Sequence, residues 1–249
     1  MIISFFEEFP TAVNLEKLSE WKAPTKLYLA APSFQKFCQI SRPLRRRKQV
    51  REIVYWPILD KKEGYWISPF SSRKALQRVL GELEGQHCPV MLDLELPTSQ
   101  NPRLYLTQAG NFRKNKSFIS SFLRHHEGPL YLAEYYPEGR RPQRMLEFLG
   151  LHYPLPQVKI IKMLYHSLHP FTKEFLENQL LQGKQQWGKQ FIPALGVLAP
   201  GIPGNEPRIT PQELEKELQL ASAGGISEVI LFRLGGLTLP FLSSLQKTR

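Results

Sequence analysis

Eight short apolar runs recur along this chain, and each is followed by a polar stretch with helical spacing. The runs are IISFFE (2–7), KLYLAA (26–31), EIVYWPI (52–58), PVMLDLE (89–95), PLYLAEY (129–135), VKIIKMLY (158–165), FIPALGVL (191–198) and EVILFRL (228–234). Between them lie segments such as SRKALQRVLGELEG, PQRMLEFLG, TKEFLENQLLQG and PQELEKELQLASAGG, whose glycine-bearing ends stand where helix C-caps belong. Strands that alternate with helices must pair in parallel, because the chain crosses back over the sheet each time. Eight such units in 249 residues match an α/β fold, the (β/α)8 TIM barrel of eight parallel strands, as a single domain over 1–249. An open doubly wound sheet is the competing architecture. It would more often show a glycine-rich turn after the first strand, where FFEEFPT stands instead, and the chain contains no G-x-G-x-x-G.

Composition sets outer limits. With 42% hydrophobic residues the chain can bury a sizeable core, yet no segment approaches the roughly 18 apolar residues of a membrane span. The opening MIISFFEEFP is too short and too acidic for a secretory signal, so the expected location is the cytoplasm. Cys38 and Cys88 lack metal-ligand or C-x-x-C spacing and are expected as reduced thiols. A net charge of +11 raises the question of an anionic partner. Its densest run, Arg45-Arg46-Arg47-Lys48, precedes an apolar run and reads first as a helix end with its solvated loop. Polyanion contact is the weaker alternative, since zinc-finger spacing and aromatic RNA-binding signatures are both missing.

In TIM barrels chemistry gathers at the C-terminal ends of the strands. The fourth run is the most informative. In PVMLDLELP, Val90, Leu92, Leu94 and Leu96 fall on one side of an extended segment and Asp93 and Glu95 together on the other. Carboxyl groups about 6 to 7 Å apart on one face can drive their pKa values apart, leaving an acid protonated beside an ionised partner, which suits acid/base catalysis. Glu134, at the end of the fifth run, is the alternative partner. Two carboxylates flanking a glycosidic bond at about 5 Å imply retention, and at about 6.5 to 9.5 Å inversion. Around them Glu7, Trp56, Trp66, Tyr135, Tyr165, His166 and Arg233 make up the candidate substrate-binding set. Adjacent Glu7 and Glu8 cannot both point inward, so the other is expected to cap the helix that follows. Trp56 and Trp66 either close the core under a long loop or offer a stacking platform for sugar rings. Arg233, inside an apolar run, calls for a carboxylate partner.

These residues carry a resemblance. Asp93-Leu94-Glu95 is similar to the last three positions of D-x-x-D-x-D-x-E on the fourth strand of the family 18 glycoside hydrolases, the chitinase-like (β/α)8 barrels. Met163-Leu164-Tyr165-His166 is similar to their sixth-strand M-x-Y-D, with His where Asp is usual. The resemblance implies a glycosidase in which Glu95 is the general acid, Asp93 orients the substrate's acetamido group and Tyr165 hydrogen-bonds that same group. The sequence departs from the pattern at Met91, where the family has an earlier Asp, and in EIVYWPIL, which lacks the third-strand S-x-G-G. Phe232 or Arg233 occupies the region where an eighth-strand Trp is common. The broader expectation is a glycoside hydrolase-like enzyme that acts on a small oligosaccharide or glycoconjugate by carboxylate chemistry, with no cofactor.

Two other readings stay open. A metal-dependent barrel enzyme, an isomerase, aldolase or phosphoesterase, would gather Glu7, Asp93, Glu95, Glu134 and His166 around a divalent metal, Mg²⁺, Mn²⁺ or Zn²⁺. It needs His166 to point inward, and such sites usually take more than one histidine. The third reading is a barrel that binds a sugar without turning it over, which the departures from the family pattern allow.

Overall fold

The computed structural model describes residues 1–135, 140–165 and 172–247. Along the chain run β1 (Ile2–Glu7), α1 (Ala12–Glu16), β2 (Thr25–Ala31), α2 (Phe34–Leu44), β3 (Val50–Pro57), α3 (Arg73–Gly81), β4 (Val90–Asp93), α4 (Leu104–Thr107) and α5 (Phe112–His125). They are followed by β5 (Leu130–Glu134), α6 (Arg140–Leu149), β6 (Val158–Met163), α7 (Lys173–Trp187), β7 (Phe191–Val197), α8 (Pro211–Ala223), β8 (Glu228–Phe232) and α9 (Leu239–Lys247). The strands follow one another in sequence order around a closed parallel barrel, so the (β/α)8 TIM barrel read from the sequence is the fold. Every strand begins within two residues of its apolar run. Among the described residues no helix is long and apolar enough to cross a membrane.

Local chemistry explains the element boundaries. α8 starts at a capping box in which the Thr210 hydroxyl accepts from Glu213 N–H and the Glu213 carboxylate accepts from Thr210 N–H, with Pro211 at the first helical position. It stops before Gly225, which takes the left-handed conformation that glycine adopts without a Cβ penalty. On the buried face of α7, Gly183 leaves room for the Phe191 ring at the start of β7; any Cβ there would overlap it.

Contacts divide the chain into two compact units, Met1–Ala30 with Ile40–Ile53 and Ile160–Arg249, and Ala31–Gln39 with Val54–Lys159. In the first, the register Ile2↔Glu228 and Phe6↔Tyr28 puts Ser4, Phe6, Lys26, Tyr28, Glu228 and Phe232 on one face of the sheet. At its N-terminal end Glu228 accepts from Lys26 at 2.6 Å, Ser4 at 2.8 Å and Tyr28 at 3.2 Å, so the buried carboxylate is fully supplied with donors. Above it lies an aromatic layer in which Phe6 meets Tyr28 at 5.3 Å and Phe232 at 6.3 Å between ring centres. In the second unit the register Tyr55↔Val90↔Leu130 defines one face, and Tyr55 stacks there on Phe37 of α2 at 4.9 Å. Trp56, Met91, Asp93, Tyr131 and Ala133 lie on the other face, away from that helix.

Candidate active site

The second unit holds the acid pair. Leu94 N–H still donates to Ala133 O, so the ladder continues past β4 and Glu95 keeps the same side as Asp93. Ala133 and Tyr135 share that side, which is why the Tyr135 hydroxyl reaches Glu95 and donates to Oε2 at 3.0 Å. Asp93 is 5% exposed and also hydrogen-bonds Glu95 through its carboxyl group. Burial pushes Glu95 up from the ordinary 4.5 to about 7, while the hydrogen bonds from Tyr135 and Asp93 favour the charged form and pull against it. Around neutrality Glu95 is thus divided between acid and carboxylate, the condition under which a carboxyl can give or take a proton. Neighbouring loops fix the pair. Ile67 N–H donates to Asp93 O at 3.0 Å, Asn101 donates to Lys62 O, and Thr98 and Tyr105 share a 2.5 Å hydroxyl contact in the segment after Glu95.

Glu134 stands apart from this pair. One residue beyond Ala133, it points to the opposite face of the sheet, where His152 Nδ1 lies 2.7 Å from Oε2 and 3.0 Å from Oε1. Both side chains are buried, and His152 Nε2 contacts Gln143 of α6 at 3.3 Å. The expectation of Glu134 as a second carboxylate beside Asp93 is therefore not matched by its placement, because strand alternation turns adjacent positions to opposite faces. His152 was not singled out from sequence. It lies in the irregular segment after α6, where only its apolar setting, LGLHYPL, hints that it is buried.

In the first unit, Glu7 and Arg233 are brought together, and the partner foreseen for Arg233 is Glu7 itself. Arg233 Nη1 lies 3.3 Å from Glu7 Oε1, its Nε donates to Pro200 O at 2.9 Å, and its guanidinium covers the Phe9 ring at 4.8 Å. Glu7 also accepts from Phe9 N–H, Gly235 N–H and Asn14 of α1. Its carboxyl is still raised above the ordinary value, because burial outweighs the Arg233 charge and these hydrogen bonds. This side of β1 faces α1, so Glu7 and Arg233 form a clamp. Glu8 lies on the other side, with Phe6, and Thr11 rather than Glu8 caps α1. Gly201 in the loop after β7 runs so close that a Cβ would come within 2.5 Å of Glu8 Oε2 and 3.0 Å of Glu206 Oε1, and Gly201 N–H donates to Glu206. Tyr165 packs on Phe232 at 5.8 Å.

Trp56 and Trp66 are 3% and 7% exposed, so both close the core of their unit instead of offering an open stacking surface. Arg45 to Lys48 follow α2 and precede β3, at the strand end opposite to its carboxyl terminus. His166 lies outside the described residues, and so does Tyr136. Among the described residues no group of three or more His, Cys, Asp or Glu side chains is placed to hold a metal ion.

No protein-family model matches the chain, and no match is found among curated proteins. Solved structures give likenesses of fold. A class V chitinase from Pseudomonas fluorescens is 10% identical with a TM-score of 0.58, covering 99% of each chain. A chitinase from Chromobacterium violaceum is 10% identical at 0.57, covering 99% of this chain and 98% of its own. A D-tagatose 3-epimerase-like protein is 16% identical at 0.57, covering 100% and 97%. The partial likeness to chitinase-like barrels read from Asp93-Leu94-Glu95 is thus matched at the level of the barrel.

Proposed function

We propose that this chain is a glycoside hydrolase-like enzyme acting on a carbohydrate or glycoconjugate, with Glu95 as general acid and Asp93 as the carboxyl that shares its hydrogen bonding. The observation that carries the reading is the carboxyl of Glu95, poised near pH 7 against Asp93 and Tyr135 at the end of β4. A protonated Glu95 would pass its proton to the leaving oxygen of a glycosidic bond as the carbon–oxygen bond breaks and its electron pair stays on that oxygen, while a water oxygen would bond to the sugar carbon and release its proton to solvent. The carboxylate left behind would be stabilised by the Tyr135 hydroxyl. The fold shared with chitinases supports the reading by analogy. In this reading Asp93, not Glu134, is the second carboxyl, and Tyr135, half-exposed beside the acid, is the first aromatic contact for a sugar ring.

A panel of fluorogenic aryl glycosides tests it. Glu95→Gln keeps the shape of the side chain and removes the transferable proton, so turnover should fall by about 10² to 10⁴ with folding unchanged. Full activity in Glu95→Gln, or activity abolished by EDTA and restored by a divalent ion, would transfer the function to the metal-dependent alternative.

A further inference from the structure

The stretch from Leu96 to His126 carries five lysines and arginines and no aspartate or glutamate. α5 lies inside it, and α6 adds Arg141 and Arg144 on its solvent side. Among the described residues of these two helices Glu147 is the one acidic side chain, and it is half-buried. Protein surfaces normally intersperse both signs of charge, and a field of one sign draws the opposite charge toward it. The second feature is apolar. Arg141, Arg144, Met145 and Phe148 recur at helical spacing and are all exposed, so they form one outer stripe of α6. Met145 is 55% and Phe148 69% exposed, where a solvated helix face ordinarily carries polar groups. α5 holds this stripe in place. Lys116 Nζ donates to the carbonyls of Glu147 and Phe148 at 2.6 and 3.0 Å, which closes the last turn of α6, and Phe112 backs the Phe148 ring at 6.2 Å between centres.

We propose that this face of α5 and α6 docks on an anionic lipid surface, with Met145 and Phe148 entering the boundary between headgroups and acyl chains and Arg113, Arg141 and Arg144 lying among the lipid phosphates. A bilayer boundary offers both environments over a depth of about 5 to 10 Å, so apolar side chains set among arginines match it in composition and in scale. The long arginine stems let the guanidinium groups stay at phosphate level while the ring and the thioether go deeper. Charge and shape disfavour the other occupants. A second copy of this chain would bring the same arginines face to face, at a net charge of +11 on each molecule. A nucleic acid strand would pair its phosphates with the arginines and stack a base on Phe148, but it would leave Met145, which has no π face, in water.

The inference is independent of the glycosidase reading. Its test is co-sedimentation of the full chain with vesicles of phosphatidylcholine alone and of two parts phosphatidylcholine to one part phosphatidylglycerol, with heparin and a single-stranded oligonucleotide as lipid-free polyanions. Binding to the anionic vesicles is expected at least about tenfold tighter than to the neutral ones, and it should weaken with salt. Arg141→Gln together with Arg144→Gln should lower vesicle affinity by at least about tenfold. Met145→Ser and Phe148→Ser should each cost about fivefold or more on anionic vesicles and leave heparin binding unchanged, because only a bilayer rewards the apolar groups. Phe148→Trp keeps an aromatic body suited to the interface, so it should bind like the parent, with its added indole emission shifting to the blue on anionic vesicles. Thermal unfolding checks the fold of each variant; if Phe148→Ser loses its packing on Phe112, Met145→Ser and Phe148→Trp carry the same test. The proposal is overturned if anionic and neutral vesicles bind alike or not at all, if both serine variants bind anionic vesicles as the parent does, or if the Phe148→Trp emission stays in place. Binding to heparin or the oligonucleotide without binding to vesicles would assign the face to a polyanion instead.

Discussion

Replacing Glu217 by leucine should stabilise the protein, and by an amount that grows with pH. Burial, with the like charge of Glu213 second, raises this carboxyl from the ordinary 4.5 to about 8. Between those two values the folded state keeps a proton that the unfolded chain has released, so each pH unit lowers folding stability by about 1.4 kcal/mol through this one group. Below about pH 4.5 the carboxyl is protonated in both states and the penalty vanishes; above about pH 8 it is ionised in both, and the loss levels off at about 5 kcal/mol. Leucine has no such titration and fills the same buried position with apolar surface. Denaturant unfolding of both proteins at several values from about pH 5 to 9 isolates the group, because the other titrations, apart from that of its charge neighbour Glu213, are common to the two chains. The stability difference should climb by about 1.4 kcal/mol per pH unit up to about pH 8 and flatten beyond. Glu217→Gln, which removes the titration without adding apolar surface, should follow the same slope from a lower start. A difference that stays constant from about pH 5 to 8 would mean that Glu217 ionises as it does in the unfolded chain, and the reasoning would fail.

Tyr135→Phe removes a donor that favours ionised Glu95, so Glu95 should hold its proton to a higher pH and the basic limb of a glycosidase pH profile should move upward; an unmoved limb would separate Tyr135 from the acid. Glu228→Ala leaves Lys26, Ser4 and Tyr28 without their shared acceptor. Lys26 keeps Glu52 at 3.4 Å, and a loss of about 3 to 5 kcal/mol in denaturant unfolding is expected, whereas a loss under about 1 kcal/mol would show that water replaces the carboxylate.

The strands were legible because a parallel barrel buries both faces of each one, which turns every strand into an apolar run that needs no knowledge of its partners. Side-chain direction at the strand ends was harder. Period-two alternation said that Glu7 and Glu8 diverge, but choosing the inward one requires the register with β2 and β8, which only the assembled sheet supplies. The same alternation separates Glu134 from Asp93 by a single residue of register. Asp93 and Glu95 stay together because they lie two positions apart on one extended stretch that runs past the end of β4, a relation that survives any register. Glu217 was readable in principle. Its spacing from Leu214, Leu218 and Ala221 marks a core position of α8, and a charged residue on an apolar stripe is the signal that was passed over.

Glu7 holds donors that lie 226 and 228 residues further along the chain. During synthesis β1 therefore emerges before every other strand of the barrel, and β8, its second neighbour, after them. Throughout elongation one edge of β1, carrying Phe5 and Phe6, has no strand to pair with, and unpaired apolar edges recruit other chains. Contacts across so long a stretch also form late, since the loop they close contains all six strands between β1 and β8. A premature stop anywhere before β8 would leave Glu7 without Arg233, and Ser4 and Lys26 without Glu228, at the seam where the barrel closes. Such truncated products should be cleared or aggregate rather than accumulate as folded fragments.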